Sequence, residues 1–117
     1  LEKKGFFDMI GGSVEYGEDS KESIIREAKE ETGIQLNNIE IVDLHSRLVN
    51  DDNMWFIFGL YFCDDFNFIN NNEIKLSHEH TNYKWIDIDE IKNYKFRITI
   101  EYVKDKIIEK VKLENNK

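Results

Sequence analysis

Residues 12–34 of this chain, GSVEYGEDSKESIIREAKEETGI, constrain its fold more than any other stretch. Asp19 followed three residues later by Glu22 has the form of a capping box, so a helix is expected to open near Asp19 or Ser20. Gly33 is the residue expected to stop it in the left-handed conformation. Ile24, Ile25 and Ala28 supply an apolar contact surface, and Glu22→Arg26 and Arg26→Glu30 are favourable i,i+4 pairs. Glu27, Glu30 and Glu31, however, fall at i, i+3 and i+4 on one face, where like charges weaken a helix by about a few tenths of a kcal/mol per pair. A helix that needed only solubility would interleave lysine there. Clustered carboxylates make better chemical sense as ligands of a hard divalent cation, which binds oxygen and cancels their repulsion.

The flanking sequence reads as one mixed α/β unit. Residues 1–10 end in a short apolar run expected to enter the Gly11-Gly12 turn as a strand. Residues 39–49 and 54–62 read as an antiparallel hairpin around the polar turn Asn50–Asn53, with 54–62 apolar enough to be buried. Trp55, Phe56, Phe58, Tyr61 and Phe62 are read as core, with one or two available to stack on a base. The Asn-rich stretch 63–80 reads as a loop, with a short strand near Ile74, and 82–86 reads as a further strand. Asp87 or Asp89 is placed to cap a short helical turn around 88–93. Residues 97–113 carry Ile98, Tyr102, Val103, Ile107 and Val111 at helical spacing, a C-terminal amphipathic helix with fraying expected from Glu114.

Charge and cysteine usage narrow the partners. The formal net charge is −8, which argues against a nucleic-acid duplex or an anionic membrane as partner, although a bound cation reverses the potential locally. Cys63 is the single cysteine, so no intrachain disulfide forms and a reducing, cytoplasmic setting is expected. No basic group or helix start lies beside it to activate a nucleophile. No apolar run approaches the roughly 18–20 residues of a membrane span. His45, His78 and His80 lack the paired spacing of a zinc site.

The stretch 12–34 resembles the Nudix box, G-x5-E-x7-R-E-U-x-E-E-x-G-U, where U is a bulky aliphatic residue. Gly12, Glu18, Arg26, Glu27, Glu30, Glu31 and Gly33 match every fixed letter. Ile34 fills the last aliphatic place, Ala28 the middle one with a smaller residue. Phe7 stands where the family has an aromatic residue, and Ile10 where it commonly has proline. The segment 78–91 resembles the family's second region, with Glu79 six residues ahead of Trp85. The resemblance implies a single Nudix hydrolase domain over 1–117, of the α/β (α+β) class, folded as an α/β/α sandwich around a mixed sheet. Its N-terminal strands are then missing or truncated, because only eleven residues precede the box. An open sheet edge follows, and with it a possible homodimer.

What the resemblance implies for function is hydrolysis of a nucleoside diphosphate linked to another group, with Mg2+ or Mn2+ as cofactor. Glu27, Glu30, Glu31 and the Gly11 carbonyl are the implied metal ligands. Gly12, Glu18 and Gly33 are implied as structural or supporting residues. Arg26 is implied to orient carboxylates, and the general base falls between Glu30 and Glu79. The MutT type reads its base with an asparagine after the Trp, and Phe96–Glu101 contains none. Triphosphates, ADP-ribose and nucleotide sugars, dinucleoside polyphosphates and capped RNA ends stay open, long RNA least of all. The competing reading is a catalytically silent Nudix-like module that binds a nucleotide or a protein.

Overall fold

The computed structural model describes residues 8–49, 53–69, 73–77, 82–96 and 98–117. Helix α1 spans Ser20–Thr32. The Asp19 side chain caps it by accepting from the Lys21 N–H at 3.2 Å, so the cap closes on Lys21 and not on Glu22 as a capping box requires. At the other end Gly33 takes φ of 74° and donates its N–H to the Lys29 carbonyl at 3.0 Å, the stop expected of a glycine.

Strand β1, Ile34–Val49, leaves the helix at once and pairs antiparallel with β2, Met54–Phe68. The hairpin is the expected one but longer. Residues 63–68, read as loop from their polarity, continue the ladder out to the Ile34–Phe68 pair, because backbone pairing does not need apolar side chains. Asn37 Nδ2 adds a bond across it to Asn67 Oδ1 at 2.8 Å. Asn53 begins β2 from φ of 51°, a left-handed conformation that asparagine tolerates; Asn50–Asp52 lie outside the described residues.

The period of two separates the ribbon's faces. Tyr61 reaches α1 through its hydroxyl, 2.7 Å from Ser20 Oγ, while Trp55 and Ile57, on the same face of the ribbon, stay exposed. The opposite face, with Asp43, His45 and Arg47, meets the C-terminal region. Lys106 Nζ lies 2.7 Å from Asp43 Oδ1, and the Tyr102 ring stacks on His45 with centroids 5.6 Å apart. The α/β/α layering thus follows expectation. The sheet among the described residues is two-stranded and antiparallel, not mixed. Residues 8–10 are irregular, and residues 1–7 lie outside the described residues.

Three further expectations are corrected. Residues 82–86 form no strand; the segment is attached to β2 through the Trp85 ring, stacked on Phe66 and edge-on to Phe68, without a backbone ladder. The C-terminal helix is broken into α2, Ile98–Glu101, and α3, Lys104–Asn115, by Val103 at φ −116° and ψ 8°. That break sends Val103 into the core while Tyr102 lies on His45, and α3 runs past the expected fraying point. Finally, β2 is not a buried strand. Trp55 is 69% exposed, and the buried apolar set among the described residues is Ala28, Ile34, Ile91, Phe96 and Val103. The short helical turn appears as expected, a 3-10 helix over Ile88–Asn93 in which Glu90 Oε1 accepts from the Asp87 N–H at 3.2 Å.

Candidate active site

The acidic face of α1 is organised by Arg26. Its Nε donates to Glu18 Oε2 at 2.7 Å and its Nη2 to Glu18 Oε1 at 3.1 Å, a two-pronged charge-assisted bond. Nη2 also donates to the Ser13 carbonyl at 3.3 Å. Nη1 serves Glu27 Oε1 at 3.0 Å and Glu30 Oε2 at 3.1 Å. Two carboxylates that spacing alone sets against each other therefore share one nitrogen, which removes much of their repulsion. The Glu22 pairing expected for Arg26 is replaced by Glu18, which arrives from the turn before the helix.

This bond, with the Glu15 N–H donating to Glu18 Oε1 at 3.0 Å, holds the Glu18 carboxyl down to about 2 and pushes the Arg26 guanidinium up. A folded-state value below the usual 4.5 contributes stability that is complete above 4.5 and lost as pH falls toward about 2. Glu18→Gln is therefore expected to flatten the fall in urea-unfolding midpoint across that acid window. A slope unchanged by the substitution would assign it to Asp43, Glu101 and Glu114, whose carboxyls are also held low by lysine and backbone donors.

Glu31 is buried at 6% exposure, and its Oε2 accepts from the Gly11 N–H at 3.1 Å. The structure thus ties Gly11 to the helix through its amide. The Glu27 carboxylate lies against Gly12: a Cβ at position 12 would sit 2.4 Å from Glu27 Cδ. Glycine there leaves the room that this carboxylate occupies. Hard oxygen donors beside a glycine turn suit a small divalent cation in kind. Among the described residues no three carboxylate, imidazole or thiolate side chains converge into a metal cage, since Arg26 Nη1 stands between Glu27 and Glu30.

Glu79, His78 and His80 lie outside the described residues. Ser77 donates its N–H to the Glu31 carbonyl at 3.0 Å, which places Ser77 alongside the last turn of α1. His45 is packed between Phe58 and Tyr102 with Nδ1 2.8 Å from Asp43 Oδ2, a structural setting. Cys63 Sγ donates to the Asp65 carbonyl at 3.3 Å. Sequence reasoning missed Ser13, whose carbonyl anchors Arg26 and whose side chain carries no motif signal. It also missed a cavity lined by Phe68, Glu73, Ile74, Tyr83 and Trp85, residues far apart in the chain. No helix among the described residues is long and apolar enough to cross a membrane.

Fold and site together define an α/β/α protein whose first helix presents carboxylates on an arginine pivot against a glycine turn. The NUDIX domain model matches residues 2–109, and the chain belongs to that family. It is 34% identical over 83 residues to the mouse bis(5'-nucleosyl)-tetraphosphatase (asymmetrical), covering 68% of this chain and 54% of that protein. It is 29% identical over 100 residues to the Escherichia coli nucleoside triphosphatase NudI, covering 80% and 70%. The chain spans little more than half the length of the mouse relative. Among solved structures, the E. coli ORF135 protein superposes with a TM-score of 0.74 at 24% identity, covering 89% of this chain and 69% of that one. MutT, from a study of the Aliivibrio salmonicida and Vibrio cholerae proteins, gives 0.64 at 22% identity, covering 85% and 71%. These two likenesses concern the fold.

Proposed function

We propose that this chain is a divalent-cation-dependent pyrophosphohydrolase acting on a nucleoside diphosphate linked to a further group. The observation that carries the reading is the Arg26 pivot, which gathers Glu27 and Glu30 beside a glycine turn in a chain of this family. The names of the mouse and E. coli relatives, a tetraphosphatase and a triphosphatase of nucleosides, support a phosphoanhydride as the bond attacked.

Glu27, Glu30, Glu31 and the Gly11 carbonyl are proposed to hold Mg2+ or Mn2+. When bound, the cation neutralises phosphate charge and makes a water molecule acidic at neutral pH. Glu18 and the Ser13 carbonyl grip Arg26 by Nε and Nη2, so the guanidinium would stay anchored were Glu27 and Glu30, which it meets through Nη1 alone, to hold a cation. Arg26 then orients carboxylates, supported by Gly12, Glu18 and Gly33. In the reaction, water forms a new P–O bond, the bridging P–O bond breaks, and the water proton passes to Glu30 or Glu79 as base. The domain is proposed to work in the cytoplasm on a small molecule, with the ribbon edges, which no further strand among the described residues covers, available to a second copy.

The test is release of nucleoside monophosphate or phosphate from a panel of triphosphates, dinucleoside polyphosphates, ADP-ribose and nucleotide sugars. Turnover is expected with Mg2+ or Mn2+ and none with chelator. Nucleotide binding with no release from any substrate would favour the silent module instead.

A further inference from the structure

An antiparallel ribbon packed on one side normally turns its apolar residues inward there and its polar residues to water. In the β1–β2 ribbon that order is in part reversed. The face against the C-terminal region carries Asp43, His45 and Arg47, met by Lys106 and by the Tyr102 ring. The face left to water carries Ile41, Leu44 and Leu48 of β1 beside Trp55 and Ile57 of β2, held in register by the pairs Leu48–Trp55, Ser46–Ile57 and Leu44–Gly59.

Trp55 and Ile57 are 69% and 70% exposed, Leu44 65%, Ile41 49% and Leu48 44%. At these values the five leave on the order of 600 Å² open, the upper end of what a monomer shows as one apolar patch. Ser46 and Gly59 complete the face between Leu44 and Leu48 and between Trp55 and Gly59, so no charged side chain interrupts it there. The patch is also fixed at one end. The Tyr61 ring lies against Gly59, where an added Cβ would sit 3.3 Å from it, and the Tyr61 hydroxyl is 2.7 Å from Ser20 Oγ.

A flat, uncharged, apolar sheet face is complementary to itself. An amphipathic helix seeks a groove, and an anionic membrane repels a chain of net charge −8. Two such ribbons, by contrast, stack about 10 Å apart with their side chains interdigitated, as in a β-sandwich. A two-fold axis sets the same patch on both sides, and the doubled area reaches about 1,200 Å², the lower bound of a stable specific interface. The acidity of the chain opposes association least across a face that carries no charge.

We propose that the open face of the β1–β2 ribbon is a homodimer interface, with Trp55 and Ile57 of each copy at its centre. The contact is face to face and leaves the hydrogen-bonding edges of the ribbon outside it. It goes beyond the hydrolase reading and stands without it, since Glu27, Glu30 and Glu31 take no part.

In a Trp85→Phe background Trp55 is the remaining tryptophan. Sedimentation equilibrium is expected to show the dimer at concentrations on the order of 100 µM, with Trp55 emission moving to the blue as it forms. Raising sodium chloride from about 0.1 to 0.5 M is expected to tighten it, because salt screens the repulsion between two acidic chains. Ile57→Asp on β2 and Leu44→Asp on β1 each set a charge in the interface and are expected to weaken the dimer at least about tenfold. Both positions are exposed in the single chain, so circular dichroism should be unchanged. A chain that stays monomeric at that concentration overturns the proposal, whether Trp55 emits as an open indole or is covered by another part of its own chain. A dimer that both aspartate variants leave intact overturns it as well, and assigns the contact to a ribbon edge.

Discussion

Replacing Glu30 with glutamine is expected to lower kcat by about a hundred- to ten-thousandfold, the range for losing a positioned base or charge at a reacting centre. The substitution is nearly isosteric, and the Glu30 side chain is 60% exposed, so the fold should survive it. Circular dichroism and an unchanged unfolding midpoint would separate lost chemistry from lost structure. Gly12→Ala is the companion variant. Gly12 is not among the positive-φ residues, so alanine meets no backbone strain there. Its methyl group would meet the Glu27 carboxyl at 2.4 Å, the end of a flexible side chain that must swing away. Stability should change little while affinity for Mg2+ or Mn2+ falls about 10- to 100-fold, read by calorimetry. Wild-type turnover in Glu30→Gln would make the metal assignment wrong. Unchanged cation affinity in Gly12→Ala would remove Glu27 from the ligand set.

The acidic helix was legible in the sequence because its signals act within a turn. Asp19 and Gly33 bound it through bonds to Lys21 and Lys29, and the spacing of Glu27, Glu30 and Glu31 already assigns them to one face. The partner of Arg26 was less legible. Spacing along a helix suggests Glu22, whereas Glu18 wins by folding back from the preceding turn, a geometry that no periodicity encodes. The same limit explains the strands. MWFIFGLYF is apolar enough to be buried, yet burial depends on how many layers cover a ribbon, and Trp55 and Ile57 remain 69% and 70% exposed. NYKWI has strand composition, but a strand requires a backbone partner, and here the attachment runs through the Trp85 ring. In the C-terminal segment the apolar repeat is continuous; a tertiary demand, Val103 in the core with Tyr102 on His45, breaks the helix.

Phe96→Ala is expected to cost about 3–5 kcal/mol, the usual range for emptying a buried phenylalanine site. The argument begins with how little core there is. Phe96 is 8% exposed and one of five buried apolar residues among the described ones, which come from α1, β1, the 3-10 helix and the two segments flanking α2. Its N–H donates to Glu101 Oε1 at 3.1 Å, and the Lys104 ammonium stands 5.2 Å above its ring, with Lys104 Nζ also 3.0 Å from Glu101 Oε2. Removing the ring thus empties a core site and takes away the surface under a charged group that orders the start of α3. Against the roughly 5–15 kcal/mol that stabilises a typical domain, such a loss removes about a fifth of the stability or more. Phe96→Leu, which keeps most of the volume, should recover the greater part of it. Urea titrations settle the matter through the midpoint at constant slope. A Phe96→Ala midpoint within the equivalent of about 1 kcal/mol of wild type would mean that the C-terminal segments do not unfold together with α1, and that the acidic site is supported by the hairpin alone.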